Sequence, residues 1–430
     1  MSFDVSKSRD SRSLIAPTEG CGFVLGLLIA AFTLVDLVFR PSFIPIHIDS
    51  DDVLRGTPPI VSILHLAVNA AFALPVIYGA LKYGFDLKRV SKFAMVCAAL
   101  VAVVLISIVG VFDLELLAVV VILVANLVLA ALFAATNYTR DSGLSGVFKG
   151  MAIGGTLVLV GVLAVGEYTW GRLSSNAGPN WWGALAFISL LSALALRGWV
   201  VKTAVAAICL AVLVLTSSRG SMIAVGAGGV LAAVLLARGM RGKSGLLMIA
   251  ATLLLLIPFV IAGPWLAESL FHLSDPARGL NSGGTGRSYG WRDAWRLFES
   301  RPIFGIGFRR HELFMTRTST AHQAYLAVLA ELGLVGFAVY ITLVFGATIQ
   351  ALRRALASIA PVWIAASAFM AGFLAIGFVE SSSLMMGVPT CLLMVIVVAC
   401  AWATRRRGPR QDFSLASRSM RPISNDRRHS

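Results

Sequence analysis

Apolar runs about as long as a bilayer is thick recur along almost the whole chain, and no other feature restricts its fold as much. They lie at approximately 21–39, 60–80, 93–112, 114–135, 147–165, 181–196, 198–216, 221–237, 245–263, 323–350, 360–379 and 384–403. Hydrocarbon offers no partner for backbone N–H and C=O groups, so only helices or closed barrels can cross it, and runs of roughly 20 residues select helices. With 58% hydrophobic and only 13% charged residues, the chain is too apolar to be a soluble domain. The pattern predicts an all-α polytopic membrane protein of about twelve transmembrane helices. The first run follows Lys7, Arg9 and Arg12 as a signal peptide would, but it is long enough to span and lacks a small-residue cleavage site.

The formal net charge of +15 does not point to nucleic acid, because the basic residues are distributed among the connections between spans. With the N-terminus in the cytoplasm, the inner connections hold Lys82, Lys88, Arg89, Lys92, Arg140, Lys149, Arg197, Lys202, Arg238, Arg241, Lys243, Arg353 and Arg354. The short outer ones hold only Arg40, Arg55, Arg172 and Arg219, as the positive-inside rule requires. This orientation divides the chain into a cytoplasmic tail (1–20), helices one to nine (21–263), a long outer loop with short helices (264–322), helices ten to twelve (323–403) and a basic tail (404–430). The last tail is expected to be disordered and cytoplasmic. Cys21, Cys97, Cys209, Cys391 and Cys400 all fall in apolar runs without metal or disulfide spacing and read as small hydrophobes. His65, Asn69 and Asn126, inside spans, read as interhelical hydrogen-bonding groups.

Ser282–Gly336 is the longest polar interval and falls outside the cytoplasm. Its Arg287, Arg292, Arg296, Arg301, Arg309, Arg310 and Arg317, with Arg278 just ahead, are an excess that topology does not demand. They form either a solvated face or a site for an anion. Guanidinium matches phosphate oxygens bidentately, and a pyrophosphate suits arginines converging from separate segments. Arg287, after the glycine-rich Asn281–Gly286, and Arg219, in the turn Ser217–Gly220, are the leading pair. Arg219 reads equally as an interfacial snorkelling anchor. The glycine-rich turn lacks the Gly-Lys-Ser/Thr ending of a nucleotide P-loop. Thr320 and Gln323 have the spacing of a capping box, which would put His322 in the first turn of a membrane helix as a candidate general base. His311, between Arg310 and Glu312, is its rival and looks more solvated. The acidic cluster Asp49–Asp52 reads as capping and solvation more readily than as a cation site, and Glu380 reads as an acceptor-site group or a helix-end feature.

Ser217-Ser218-Arg219-Gly220, Gly286-Arg287 with Trp291 and Trp295, Arg301-Pro302-Ile303-Phe304-Gly305-Ile306-Gly307, His322 with Tyr325-Leu326, and Glu331-Leu332-Gly333-Leu334-Val335-Gly336 occur in this order around a long outer loop. Together they resemble the O-antigen ligase and O-antigen polymerase superfamily over roughly Gly161–Tyr340, including Asn176–Asn180. The resemblance implies a GT-C-like glycosyltransferase of a bacterial inner membrane. Such enzymes act on the periplasmic side without metal, cofactor or nucleotide sugar, moving a glycan from undecaprenyl pyrophosphate to an acceptor hydroxyl. Carried over by motif, His322 is the catalytic residue and Arg219 and Arg287 bind the donor pyrophosphate. Arg292, Gln323, Arg172, Asn180 and Glu380 are supporting candidates. Many members have Asn directly after the histidine, where this chain has Gln323.

The implied partners are the undecaprenyl-pyrophosphate-linked glycan, a glycan or lipid A-core acceptor, membrane lipids, and chain-length regulator or export proteins. A polymerase of exopolysaccharide or O-antigen repeats is the first expectation, and an O-antigen ligase acting on lipid A-core is the alternative. From another class, a flippase for lipid-linked oligosaccharide would need polar residues at mid-membrane depth and a repeat between halves. The chain shows few of the first and no obvious second.

Overall fold

A computed structural model describes residues 19–39, 59–110, 114–136, 140–169, 171–175, 177–240, 287–316, 318 and 320–404. Asp49–Asp52, Asn281–Gly286, Arg278, Arg317, the expected span 245–263 and both tails lie outside the described residues. The described part is almost wholly helical. Its elements are α1 (Gly20–Phe39), α2 (Pro59–Ala71), α3 (Ala73–Tyr83), α4 (Ser91–Ser107), α5 (Leu114–Ala135), α6 (Arg140–Val165), a two-stranded hairpin β1 (Tyr168–Thr169) and β2 (Arg172–Leu173), then α7 (Pro179–Ser192), α8 (Trp199–Thr216), α9 (Arg219–Gly239), α10 (Arg287–Ser300), α11 (Ala324–Ser358), α12 (Pro361–Ile376) and α13 (Pro389–Trp402). Among the described residues eight helical stretches are long and apolar enough to cross a membrane, and Pro179–Ala195, Pro361–Ile376 and Pro389–Trp402 are shorter apolar helices. This is an all-α polytopic membrane protein.

Three differences from the expected spans have local causes. The run 60–80 is two helices, α2 and α3, parted at Phe72 just ahead of Pro75, whose missing N–H and ring cannot continue a helix from behind. The run 147–165 starts seven residues early, at Arg140, so Lys149 sits inside α6 rather than in a connection. Buried there, it is paired with Glu19 at 2.6 Å, and Ser145 donates to the same carboxylate at 2.8 Å. The runs 360–379 and 384–403 yield helices that stop short because the chain between Gly377 and Val388 leaves helical geometry. Each of these helices opens on a proline at its first position, where the absent N–H costs nothing.

α12 and α13 are apolar all round and nearly fully buried, with Trp363, Phe369 and Leu393 at 0% exposure, so the other helices wrap around them. α1 lies against α6 along glycines four apart. A Cβ on Gly22 or Gly26 would meet the backbone of Gly143, Val147 or Gly150, and one on Gly146 or Gly150 would meet the backbone of Glu19, Phe23 or Leu27. Such close backbone approach supplies packing where lipid removes the hydrophobic driving force. The intramembrane polar groups pair as expected. His65 Nε2 is 3.2 Å from the Phe32 carbonyl and 3.3 Å from Asp36, and Asn126 donates to Asn69 at 3.2 Å. The five cysteines are free and buried.

Candidate functional site

Glu380 is the hub of a polar network drawn from five chain segments. It lies in the connection between α12 and α13, and its Oε1 accepts from Arg287 Nη2 at 2.9 Å and from Asn180 Nδ2 at 3.1 Å. Asn180 stands in the first turn of α7, and its Oδ1 accepts from Arg172 Nη2 at 2.8 Å. Arg172, on β2, in turn donates Nε to the Thr216 carbonyl at 2.7 Å and Nη2 to that of Ser217 at 3.4 Å. These are carbonyls at the C-terminal end of α8, where no further turn supplies N–H donors and a cation is favoured. The next residues, Ser218 and Arg219, turn the chain into α9. Gly220 packs so closely on the Glu380 segment that a Cβ there would lie 3.0 Å from Val379 and 3.3 Å from the Glu380 side chain. Arg219 and Arg287 are each the first residue of their helix; Arg287 pairs with Glu380, and the residue after Arg219 packs on the Glu380 segment.

His322 completes the group. Its Nδ1 lies 4.0 Å from Glu380 Oε2, and the side chain is 28% exposed against 18% for Glu380. The Nδ1 atom itself is buried and makes no hydrogen bond among the described residues. Docking of α11 on α12 produces this proximity. The Ala324 N–H donates to the Gly377 carbonyl at 2.7 Å, Tyr325 Oη donates to the Leu374 carbonyl at 2.6 Å, and the Tyr325 and Phe378 rings pack 4.8 Å apart. Thr320 Oγ1 adds a bond to Ser381 Oγ at 2.9 Å.

The expected capping box is corrected. The N-cap of α11 is Gln323, whose side chain accepts from the Leu326 N–H, so His322 precedes the helix instead of sitting in its first turn. His322 has φ +48°, a left-handed conformation uncommon for a residue with a side chain and concentrated at functional sites. Gln323 is committed to the helix end.

His311 also differs from its expectation. It is 1% exposed rather than solvated; its Nδ1 meets Glu331 Oε1 in a buried pair, and its Nε2 lies 3.0 Å from Thr320 Oγ1. Glu331 is available because α11 is broken. Gly333 has φ +64° and ψ −168°, and the segment Pro302–Gly307 lies in the break. Ile306 and Gly307 donate to the Ala330 and Glu331 carbonyls, and Leu334 and Val335 donate to those of Pro302 and Ile303, at 2.8–3.2 Å. The two glycine motifs thus mate: a Cβ on Gly305 would strike Glu331, and one on Gly333 would strike Ile303. The result is a rigid frame from which Thr320, Ala321 and His322 project. Sequence reasoning missed the His311–Glu331 pair, although Glu331 stood within one of the recognised motifs.

Among the described loop arginines, two have partners other than Glu380. Arg292 is exposed, with its guanidinium 5.7 Å from the Tyr289 ring, and Arg309 pairs with Glu312 at 3.1 Å. On α10 the buried residues are Gly290, Asp293 and Ala294, while Trp291 and Trp295 are exposed, so the aromatic face looks outward. Asp293 is held by Thr316, which donates from both its backbone N–H at 3.0 Å and its hydroxyl at 2.7 Å.

A half-buried carboxylate paired with Arg287, with an imidazole beside it, can yield its cation to an anion and move a proton within one small volume. Residues 204–341 match the family described as O-Antigen ligase. No match to a curated protein accompanies it. The matched region, about a third of the chain, contains Arg219, Arg287 and His322 but not Arg172, Asn180 or Glu380, and it supports the resemblance to the O-antigen ligase and polymerase superfamily.

Proposed function

We propose that the chain transfers a glycan from undecaprenyl pyrophosphate to an acceptor hydroxyl on the periplasmic side of a bacterial inner membrane. The observation that carries this reading is the convergence of Arg287 and His322 on Glu380 from segments distant in sequence, with the turn that opens α9 at Arg219–Gly220 packed on the same Glu380 segment. The acceptor hydroxyl gives its proton to His322 as its oxygen attacks the anomeric carbon. The bond from that carbon to the pyrophosphate oxygen breaks, and its electron pair leaves with the pyrophosphate. Arg219 and Arg287 stabilise the charge growing there, the largest single contribution such a site can make. One displacement inverts the anomeric configuration.

Polymerisation of exopolysaccharide or O-antigen repeat units is the acceptor chemistry we assign. Ligation of the glycan to lipid A-core is the second reading, and the description of the matching family favours it. The test is reconstitution in liposomes with purified lipid-linked donor and acceptor. Release of undecaprenyl pyrophosphate with glycan transfer is expected, whereas no release from a competent pair favours a transporter. His322→Ala is expected to lower the rate by about 10²–10⁴-fold, and normal transfer by that variant rejects the base role. In a deletion strain, loss of chain length marks a polymerase, and accumulation of full-length lipid-linked polymer marks a ligase.

A further inference from the structure

We propose that Glu380 is a displaceable counter-anion, held by Arg287 in the empty site and released by donor pyrophosphate to close on His322 and orient its imidazole. The inference rests on the donor reading above and extends it to a residue outside the matched region.

The two oxygens of Glu380 are unequally used. Oε1 takes both Arg287, at 2.9 Å, and Asn180, at 3.1 Å, while Oε2 faces His322 Nδ1 across 4.0 Å. A hydrogen bond needs about 2.7–3.2 Å, so the carboxylate stops roughly 1 Å short of a nitrogen that is buried and unbonded among the described residues. A buried nitrogen without a partner is unfavourable, and His322 already carries the strain of a positive φ. The histidine is poised for a partner it does not yet hold. The force keeping Glu380 away is Arg287, with which it forms a pair only 18% exposed on either side.

Pyrophosphate reverses that balance. Its adjacent phosphoryl groups offer a guanidinium more charge and more acceptor oxygens than one carboxylate does. Once Arg287 turns to the phosphates, Glu380 loses its cation and gains an anionic neighbour, and both changes drive it toward His322. Asn180 is the pivot. Its amide is fixed by Arg172, which is itself anchored on the α8 carbonyls, so one donor remains on Oε1 as Oε2 moves. Glu380 then accepts a hydrogen bond from Nδ1–H and leaves Nε2 to take the proton of the acceptor hydroxyl. The carboxylate gains no proton; it holds the ring and stabilises the imidazolium formed as the glycosidic bond forms and the bond to pyrophosphate breaks. Donor binding and activation of the base become one event, so the acceptor is not activated in a site without donor.

The test compares wild type with Glu380→Gln in the reconstituted transfer assay and measures binding of inorganic pyrophosphate, with thermal midpoints to verify folding. The expected result is a split: kcat falls at least about tenfold, while donor KM is not raised and pyrophosphate binds more tightly, because Arg287 has lost its competitor. Unchanged kcat, or weaker pyrophosphate binding, overturns the exchange. If Glu380→Gln does not fold, Glu380→Asp carries the test. Its shorter arm keeps the charge but cannot bridge to His322 from the Asn180 pivot, so kcat falls without a rise in donor KM, and wild-type kcat overturns the proposal. Arg287→Ala separates the two levels: if it binds pyrophosphate and transfers glycan as wild type does, the donor reading itself fails. If Arg287→Ala is impaired as expected but Glu380→Gln is kinetically silent, the exchange alone is wrong.

Discussion

At the scale of single residues, the candidate site divides into groups with a chemical signature and groups whose position comes from folding alone. Arg219, Arg287 and His322 stood out in the sequence as arginines expected outside the cytoplasm and a histidine expected in the first turn of a membrane helix, and the family resemblance implied their roles. The connection of Arg287 to Glu380 crosses 93 positions and that of Asn180 to Glu380 crosses 200, and no local pattern encodes either. His311 shows the limit most clearly. Flanked by Arg310 and Glu312 it has a solvated neighbourhood in sequence, yet the fold buries it against Glu331. Glu331→Ala leaves that imidazole buried without its carboxylate, and the loss of a buried partner is expected to cost about 1–3 kcal/mol. Denaturation in detergent measures this. Transfer is also expected to fall, because His311 no longer fixes Thr320, two residues from His322. Stability and rate both unchanged would show that the pair does not frame the site.

At the scale of elements, periodicity located the helices, and special backbone set their ends. That the apolar runs among the described residues are helical followed from the need to pair every backbone group in hydrocarbon. Pro75, the first-turn prolines of α12 and α13, and the non-helical stretch at 377–388 decided where helices stop, and that last stretch is where Glu380 sits. Gly333 is the sharpest case. An apolar run through 323–350 reads as one continuous helix, but a glycine at φ +64° interrupts it so that Pro302–Gly307 can lend four hydrogen bonds to the gap. Gly333→Ala imposes a positive φ on a residue with a Cβ and drives that Cβ into the Ile303 carbonyl. The expected cost is at least about 1–3 kcal/mol, read as a lower thermal midpoint with a parallel loss of transfer. Gly150→Leu tests the other close approach, α6 on α1. A comparable loss of stability is expected there, because the added side chain meets backbone that cannot yield.

At the scale of the molecule, the question is which face of the membrane the site occupies, and the length of α11 connects both faces. From Gly333 to Ser358 the helix runs roughly 37 Å, enough to cross a hydrocarbon core of about 30 Å, so the His322 end and the Ser358 end belong on opposite sides. From the positive-inside distribution we propose that Ser358, near Arg353 and Arg354, faces the cytoplasm and His322 the outside. Lys149 contributes less to that assignment than it does in the sequence alone, since Glu19 neutralises it within the bundle. Cysteine labelling tests the orientation cleanly, because the five native cysteines are buried and offer little background. Ser300 and Ser358 are both exposed. Ser300→Cys is expected to react with a membrane-impermeant maleimide in intact spheroplasts, and Ser358→Cys only after permeabilisation. The reverse pattern would put Arg219, Arg287 and His322 in the cytoplasm. A carrier-linked glycan presented at the outer face could not reach them there, and the proposed reaction would have to be abandoned along with the orientation.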